Sequence, residues 1–209
     1  MLRAPLLVAW LPLLAAAQSL PETPSLPPVG VFMIFDSTPG LASLDLMKSE
    51  VNQLFQPSGL SLDWRLAKDN HGDQSFAGLV VLKFRGSCQA DGFQLPYSGF
   101  GSAGESFTLG STVVSHGRVL PYGEVQCDQI RKALAFLPPG SNQKDRQRAL
   151  ARALARVVAH ELYHMLAATT THAEHGITKA SQSLQELVSD HEFRFREEDT
   201  RAIGSAFVK

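Results

Sequence analysis

The sequence predicts an α/β (α+β) fold, in which a twisted, mixed sheet ending in an edge hairpin packs on one long helix. Three observations carry this expectation. The run VGVFMIF at residues 29–35 is apolar throughout, as in a strand buried on both faces. Residues 41–55 place Leu44, Met47, Val51 and Leu54 three and four apart, the stripe of an amphipathic helix. From Asn142 to about Ala168 apolar residues recur with the helical period over a much longer stretch.

Residues 1–17 read as a secretory signal. Arg3 gives a basic start, an apolar run extends from Leu6 to Ala17 around Pro12, and Ala15, Ala16 and Ala17 offer a small-residue cleavage site before Gln18. The run falls short of the roughly 20 residues a spanning helix needs, so no stable membrane span is expected. Cleavage after Ala17 would give a secreted or periplasmic protein. Residues 18–28 are a proline-rich lead-in, too short for an inhibitory segment of domain size, and residues 29–209 are expected to fold as one domain. The 209 residues are 44% hydrophobic and 19% charged, a globular composition, and a formal net charge of -1 gives no electrostatic reason for a nucleic-acid partner. Oligomeric state leaves no mark on the sequence. Outside the cytosol Cys88 and Cys127 are expected to pair, closing a loop of about 40 residues that contributes on the order of 4 kcal/mol in the chain-entropy picture.

The elements follow in order. Asp36-Ser37-Thr38-Pro39-Gly40 breaks the first strand, and Gln56-Pro57-Ser58-Gly59 ends the first helix. Residues 60–66 alternate Leu60, Leu62, Trp64 and Leu66 with polar neighbours, which predicts a half-exposed second strand. A polar loop carrying His71 leads to a third strand at 79–84, and Gly99, Gly101 and Gly104 punctuate a flexible loop. Residues 107–114 and 119–122 are expected to form a hairpin turned at Ser115-His116-Gly117, with His116 solvated. Its free edge is either a plain surface edge or a place where an extended peptide pairs main chain to main chain. Residues 124–137 read as a short helix carrying Cys127, stopped by Pro138-Pro139-Gly140, and Asn142 with Asp145 starts the long helix.

That helix contains His160-Glu161-Leu162-Tyr163-His164. Histidines four apart on a helix rise on one face, about 6 Å apart along the axis, which one tetrahedral zinc ion can bridge. Glu161 is then the candidate general base on zinc-bound water. Four of the seven histidines fall between 160 and 175, which separates the motif from a chance match on a solvated helix. With His160 as origin and about 100° per residue, Leu150, Leu154, Val157, Val158, Leu162, Met165 and Leu166 form an apolar arc, while Arg148, Arg152, Arg156 and Tyr163 form a second, polar one. His160 and His164 sit on the seam, backed by core on one side and open to water and substrate on the other.

Two helix histidines leave zinc short of a protein ligand. His172, Glu174, His175, Glu186 and Asp190 are available, and His172 is preferred because Thr169-Thr170-Thr171 is a poor helix continuation whose turn would carry His172 back over the metal. Glu186 is the rival. It stands in a capping box with Ser183 and faces away from an apolar stripe of Leu184, Leu187, Val188, His191 and Phe195 expected on one last helix. His191, within that stripe, is expected to be a satisfied core histidine.

With AHELYHML at residues 159–166 and His172, the chain resembles the zincin metallopeptidases and, within them, the metzincin branch and small exported bacterial proteins with the same motif. The resemblance implies a catalytic zinc ion held by His160, His164 and His172, Glu161 as general base, and a peptide or protein substrate. It differs from that branch in that His172 lies eight rather than six residues beyond His164, Ala167 and Ala168 stand where the branch has glycine, and no methionine follows Met165. A non-catalytic exported domain that keeps zinc as a staple, and a zinc hydrolase of non-peptide amides, are the alternatives.

Overall fold

The computed structural model describes residues 27–69, 72, 74–91, 108–191 and 193–207. The expected signal, most of the lead-in, His71 and the loop of Gly99, Gly101 and Gly104 lie outside those residues. Strand β1 (Val29–Phe35) is buried over its first five residues, and its apolar run packs between two parallel neighbours, β2 (Leu62–Leu66) and β3 (Gly78–Arg85). Helix α1 (Leu41–Phe55) makes the crossover between β1 and β2, burying Leu44, Met47, Val51 and Phe55. It runs into a tight turn over Gln56–Ser58, stopped by Gly59 in the left-handed region at φ 75°.

The hairpin is β4 (Gly110–Ser115) and β5 (Arg118–Gln126), reversed at His116 and Gly117, with His116 exposed and at φ 50°. The sheet order β2-β1-β3-β5-β4 is parallel except for the last pair, so among the described residues β4 is an outer edge. This is the mixed α/β fold the sequence predicts, with two local differences. β5 continues through Gln126 because Val125 and Gln126 pair with Phe84 and Arg85 of β3, so the helix expected at 124–137 begins later, as α2 (Cys127–Arg131) followed by a 3-10 turn over Lys132–Phe136. Cys127 opens α2 and is bonded to Cys88 after β3, their Cα atoms 5.0 Å apart, which fixes the end of the sheet to the start of the helical half.

Helix α3 (Gln143–Leu166) starts at Asn142, whose side chain accepts the Asp145 N–H at 3.1 Å while the Asp145 carboxylate accepts the Asn142 N–H at 3.3 Å. Leu150, Leu154, Val158 and Leu162 are buried against α1 and the sheet in one continuous core. The helix ends two residues before Ala168. There Thr169 N–H donates to His164 O at 3.1 Å and Ala168 takes φ 49°, a left-handed cap usually made by glycine.

The C-terminal part differs more. The expected single last helix is two, α4 (Leu184–Val188) and α5 (Glu197–Ser205), and His191 between them is exposed rather than a core histidine. The physical reason lies on α3: Arg152 takes the carbonyls of Val188 and Ser189, and Arg156 takes those of Glu186 and His191, so these oxygens are bound to side chains instead of continuing a helix. For the same reason Arg156 and Tyr163, read from the sequence as part of an open polar arc, are 3% and 5% exposed.

A non-glycine residue at positive φ costs about 1 kcal/mol, partly offset by the lower chain entropy of alanine when unfolded. Ala168→Gly is therefore expected to raise the thermal midpoint, while Ala167→Gly, one residue earlier at φ -86°, lowers it by the equivalent of about 1 kcal/mol. Thermal unfolding of the two variants side by side checks this.

Candidate metal centre

α3 presents the two imidazoles of the motif one turn apart, and the turn at Ala168 returns the chain so that His172 meets them. His164 Nε2 lies 3.0 Å from His160 Nε2 and 3.2 Å from His172 Nε2, and the ligand atoms of the three lie within 4.8 Å of one another. Among the described residues they form the one such group of histidine, cysteine and carboxylate side chains. Around a tetrahedral ion with bonds of about 2.05 Å to nitrogen, neighbouring ligand atoms stand roughly 3.3 Å apart. The two separations from His164 Nε2 match that.

The other ring nitrogens explain the orientation. His160 Nδ1–H donates to Ile177 O at 2.8 Å, and His164 Nδ1–H donates to Thr169 O at 2.7 Å. A carbonyl can only accept, so both rings carry their proton on Nδ1 and turn bare Nε2 lone pairs toward each other. Lone pairs facing at 3.0 Å repel. A shared cation resolves that repulsion, so the donor set fits a metal ion. Burial reinforces the neutral form: it pushes His160 down to about 4 and His164 below its ordinary value, outweighing the backbone carbonyls that favour charge.

The carbonyls themselves are anchored. Ile177 precedes Thr178, which is fully buried and whose hydroxyl donates to Asp199 at 3.0 Å. The Asp199 carboxylate also accepts from Arg196 Nε at 3.0 Å and Nη2 at 2.8 Å and from the Tyr163 hydroxyl, so α5 ties the ring beside His164 to the segment that orients His160. Tyr163 is thereby committed to Asp199 and points its hydroxyl away from a role in the site.

Glu161 is 4% exposed, held under the edge strand. Thr112 Oγ1–H donates to its Oε2 at 2.7 Å, and a Cβ on Gly110 would stand 2.6 Å from its Oε1, so Gly110 is where β4 can pass this close. Burial lifts the carboxyl to about 7, against the Thr112 hydrogen bond, which favours the charged form. No sequence signal ties Gly110 or Thr112 to Glu161, since 49 residues separate Thr112 from it and only the sheet order brings them together.

The rival third-ligand candidates stand elsewhere. Glu186 Oε2 accepts the Ser183 N–H at 2.7 Å and its Oε1 accepts from Lys179 Nζ at 3.0 Å, contacts that hold it below the usual carboxylate range. Glu174, His175 and Asp190 are exposed and outside the cluster, and Asp190 pairs with Arg152.

No family model matches this chain, and no curated protein does. Among solved structures it is similar to archaemetzincin from Methanopyrus kandleri, with a TM-score of 0.49 and 12% identity over 91% of this chain and all of that one.

A carboxyl whose folded-state pKa is raised from 4.5 to about 7 favours the fold while protonated, and that advantage is lost as pH rises through about 7. In metal-free protein Glu161→Gln is therefore expected to match the wild type near pH 4 and to exceed it at pH 8, by on the order of 3 kcal/mol. The His160 contribution, lost as pH falls from 6.5 toward about 4, is common to both proteins and cancels. Denaturant melts of chelated protein at the two pH values read the difference.

Proposed function

We propose that this chain is an exported zinc-dependent peptidase, with His160, His164 and His172 holding the ion and Glu161 as general base. The observation that supports it most is the convergence of three imidazole nitrogens, two of them from the helix that carries a buried glutamate between them. Zinc held there would polarise the scissile carbonyl and acidify the attacking water. The protein's part is then to move the proton. Glu161, lifted toward neutrality by burial, accepts it from the attacking water and delivers it to the leaving amine.

Substrate has a natural place. Among the described residues β4 is the outer strand of the sheet, and its Gly110 and Thr112 lie directly over Glu161. An extended peptide hydrogen-bonded to that edge would run past the general base with its main chain fixed in register. The Cys88–Cys127 bond and the basic-apolar N-terminal stretch support export, and among the described residues no helix is long and apolar enough to cross a membrane.

Metal analysis of the purified protein, paired with cleavage of a broad peptide library, tests the reading. Wild type is expected to hold one zinc and cleave, and Glu161→Gln to keep the zinc while losing at least about a hundredfold in rate. Bound zinc with no cleavage by the wild type would instead mark a zinc-stapled structural domain, and activity on amides other than peptides would redirect the substrate class. For the third ligand, His172→Ala is expected to release the metal and Glu186→Ala to retain it, losing about 1 kcal/mol of stability with its cap. The opposite pattern in metal content contradicts the assignment.

A further inference from the structure

The arginine arc of α3 is not used by the histidine centre. Below it, between α1, α3 and residues 190, 191 and 193–201, lies a separate cleft of about 1250 Å³. None of His160, His164 or His172 lines it. Among the described residues its walls carry five arginines (148, 152, 156, 194 and 201) against three carboxylates (Glu50, Asp190 and Glu197), in a chain whose net charge is -1.

These arginines divide by function. Arg152 and Arg156 hold carbonyls of α4 and of the residues after it, from Glu186 to His191, and Arg152 also pairs with Asp190. Arg156 is 3% exposed, has its charge seated 4.1 Å over the Phe193 ring, and its Nε has no hydrogen-bond partner among the described residues. A buried guanidinium of this kind is a fixed positive charge in the cleft wall, and burial lowers its pKa only to about 10, so it stays charged at neutral pH. Arg148 and Arg201 are exposed, line the same cleft and engage no ion pair or hydrogen bond among the described residues. Phe193, Phe195 and Leu54 supply apolar wall.

We propose that this cleft is a binding site for a small organic anion, its phosphate or carboxylate head held by Arg148 and Arg201 over the fixed charge of Arg156 and its apolar part against Phe193 and Phe195. Guanidinium forks present paired N–H donors that match the oxygens of either head group. Arg156 feels the opposing fields of Glu50 and Asp190 and the like field of Arg152, and an added anion would act on its buried charge where water screens poorly. An apolar tail separates such a ligand from a bare inorganic ion, because the aromatic wall rewards it.

Calorimetric titration of the full chain with phenyl phosphate, benzoate and inorganic phosphate tests this. Phenyl phosphate or benzoate is expected to bind at least about tenfold more tightly than inorganic phosphate, and binding is expected to weaken as salt rises. Arg148→Ala/Arg201→Ala, at exposed positions, is expected to lose about tenfold or more in affinity with an unchanged melting curve, and Arg148→Lys/Arg201→Lys to lose less. Which aryl anion binds more tightly distinguishes a phosphate from a carboxylate head. The proposal is overturned if no aryl anion binds, or if the double alanine variant binds as the wild type does. It is equally overturned if binding is abolished by His172→Ala and untouched by the arginine changes, which would put the anion at the histidine centre.

Discussion

The arrangement depends on one repeated interaction: side-chain N–H groups at every fourth residue along α3 donate to main-chain carbonyls of the C-terminal segment. Arg152 and Arg156 take carbonyls between Glu186 and His191, His160 takes that of Ile177, and His164 that of Thr169. Each pairing gives a part-buried carbonyl a side-chain donor, Glu186 O alongside the Ser189 N–H and Ile177 O alongside Gln182. At the arginines the consequence is mechanical, since the segment is clamped. At the histidines it is chemical, because a proton fixed on Nδ1 leaves Nε2 free to ligate. One stripe of residues thus fixes both the cover of the domain and the tautomer of its centre.

The fold supplies the opposing wall. A parallel sheet with one antiparallel outer strand puts β4 against α3, and the absence of a side chain at Gly110 lets the backbone come within contact of Glu161. The carboxylate is consequently taken from water, which raises its proton affinity, while Thr112 offers a single compensating hydrogen bond. A carboxyl near neutrality and, among the described residues, an outer strand beside it therefore arise from the same packing. On the far side, Tyr163, Thr178 and Arg196 converge on Asp199, so α5 braces the ring next to His164 and the carbonyl that orients His160.

Local pattern made much of this legible. The apolar run of β1, the three-and-four spacing of α1 and the Asn142–Asp145 cap of α3 are all short-range signals, and each marks its element closely. The meeting of His172 with His160 and His164 was readable too, because the β-branched run after Ala168 signals a turn of limited length. What escaped depends on distant partners. Residues 124–126 look helical alone and are strand because β3 pairs with them. Arg156 and Tyr163 look solvated on a helical wheel and are buried because a segment some thirty residues later lies over them. Thr112 and Gly110 carry no local sign of their contact with Glu161, which exists only through strand order.

The central claim is that the three imidazoles close on one zinc ion through their Nε2 atoms. X-ray absorption at the zinc edge of the purified, unsupplemented protein addresses it most directly. The account predicts three imidazole nitrogens at about 2.0–2.1 Å with one further light atom and no sulfur, falling to two imidazoles or to no bound zinc in His172→Ala. A wild-type site with fewer than three imidazoles, or a spectrum unchanged by His172→Ala, would contradict it.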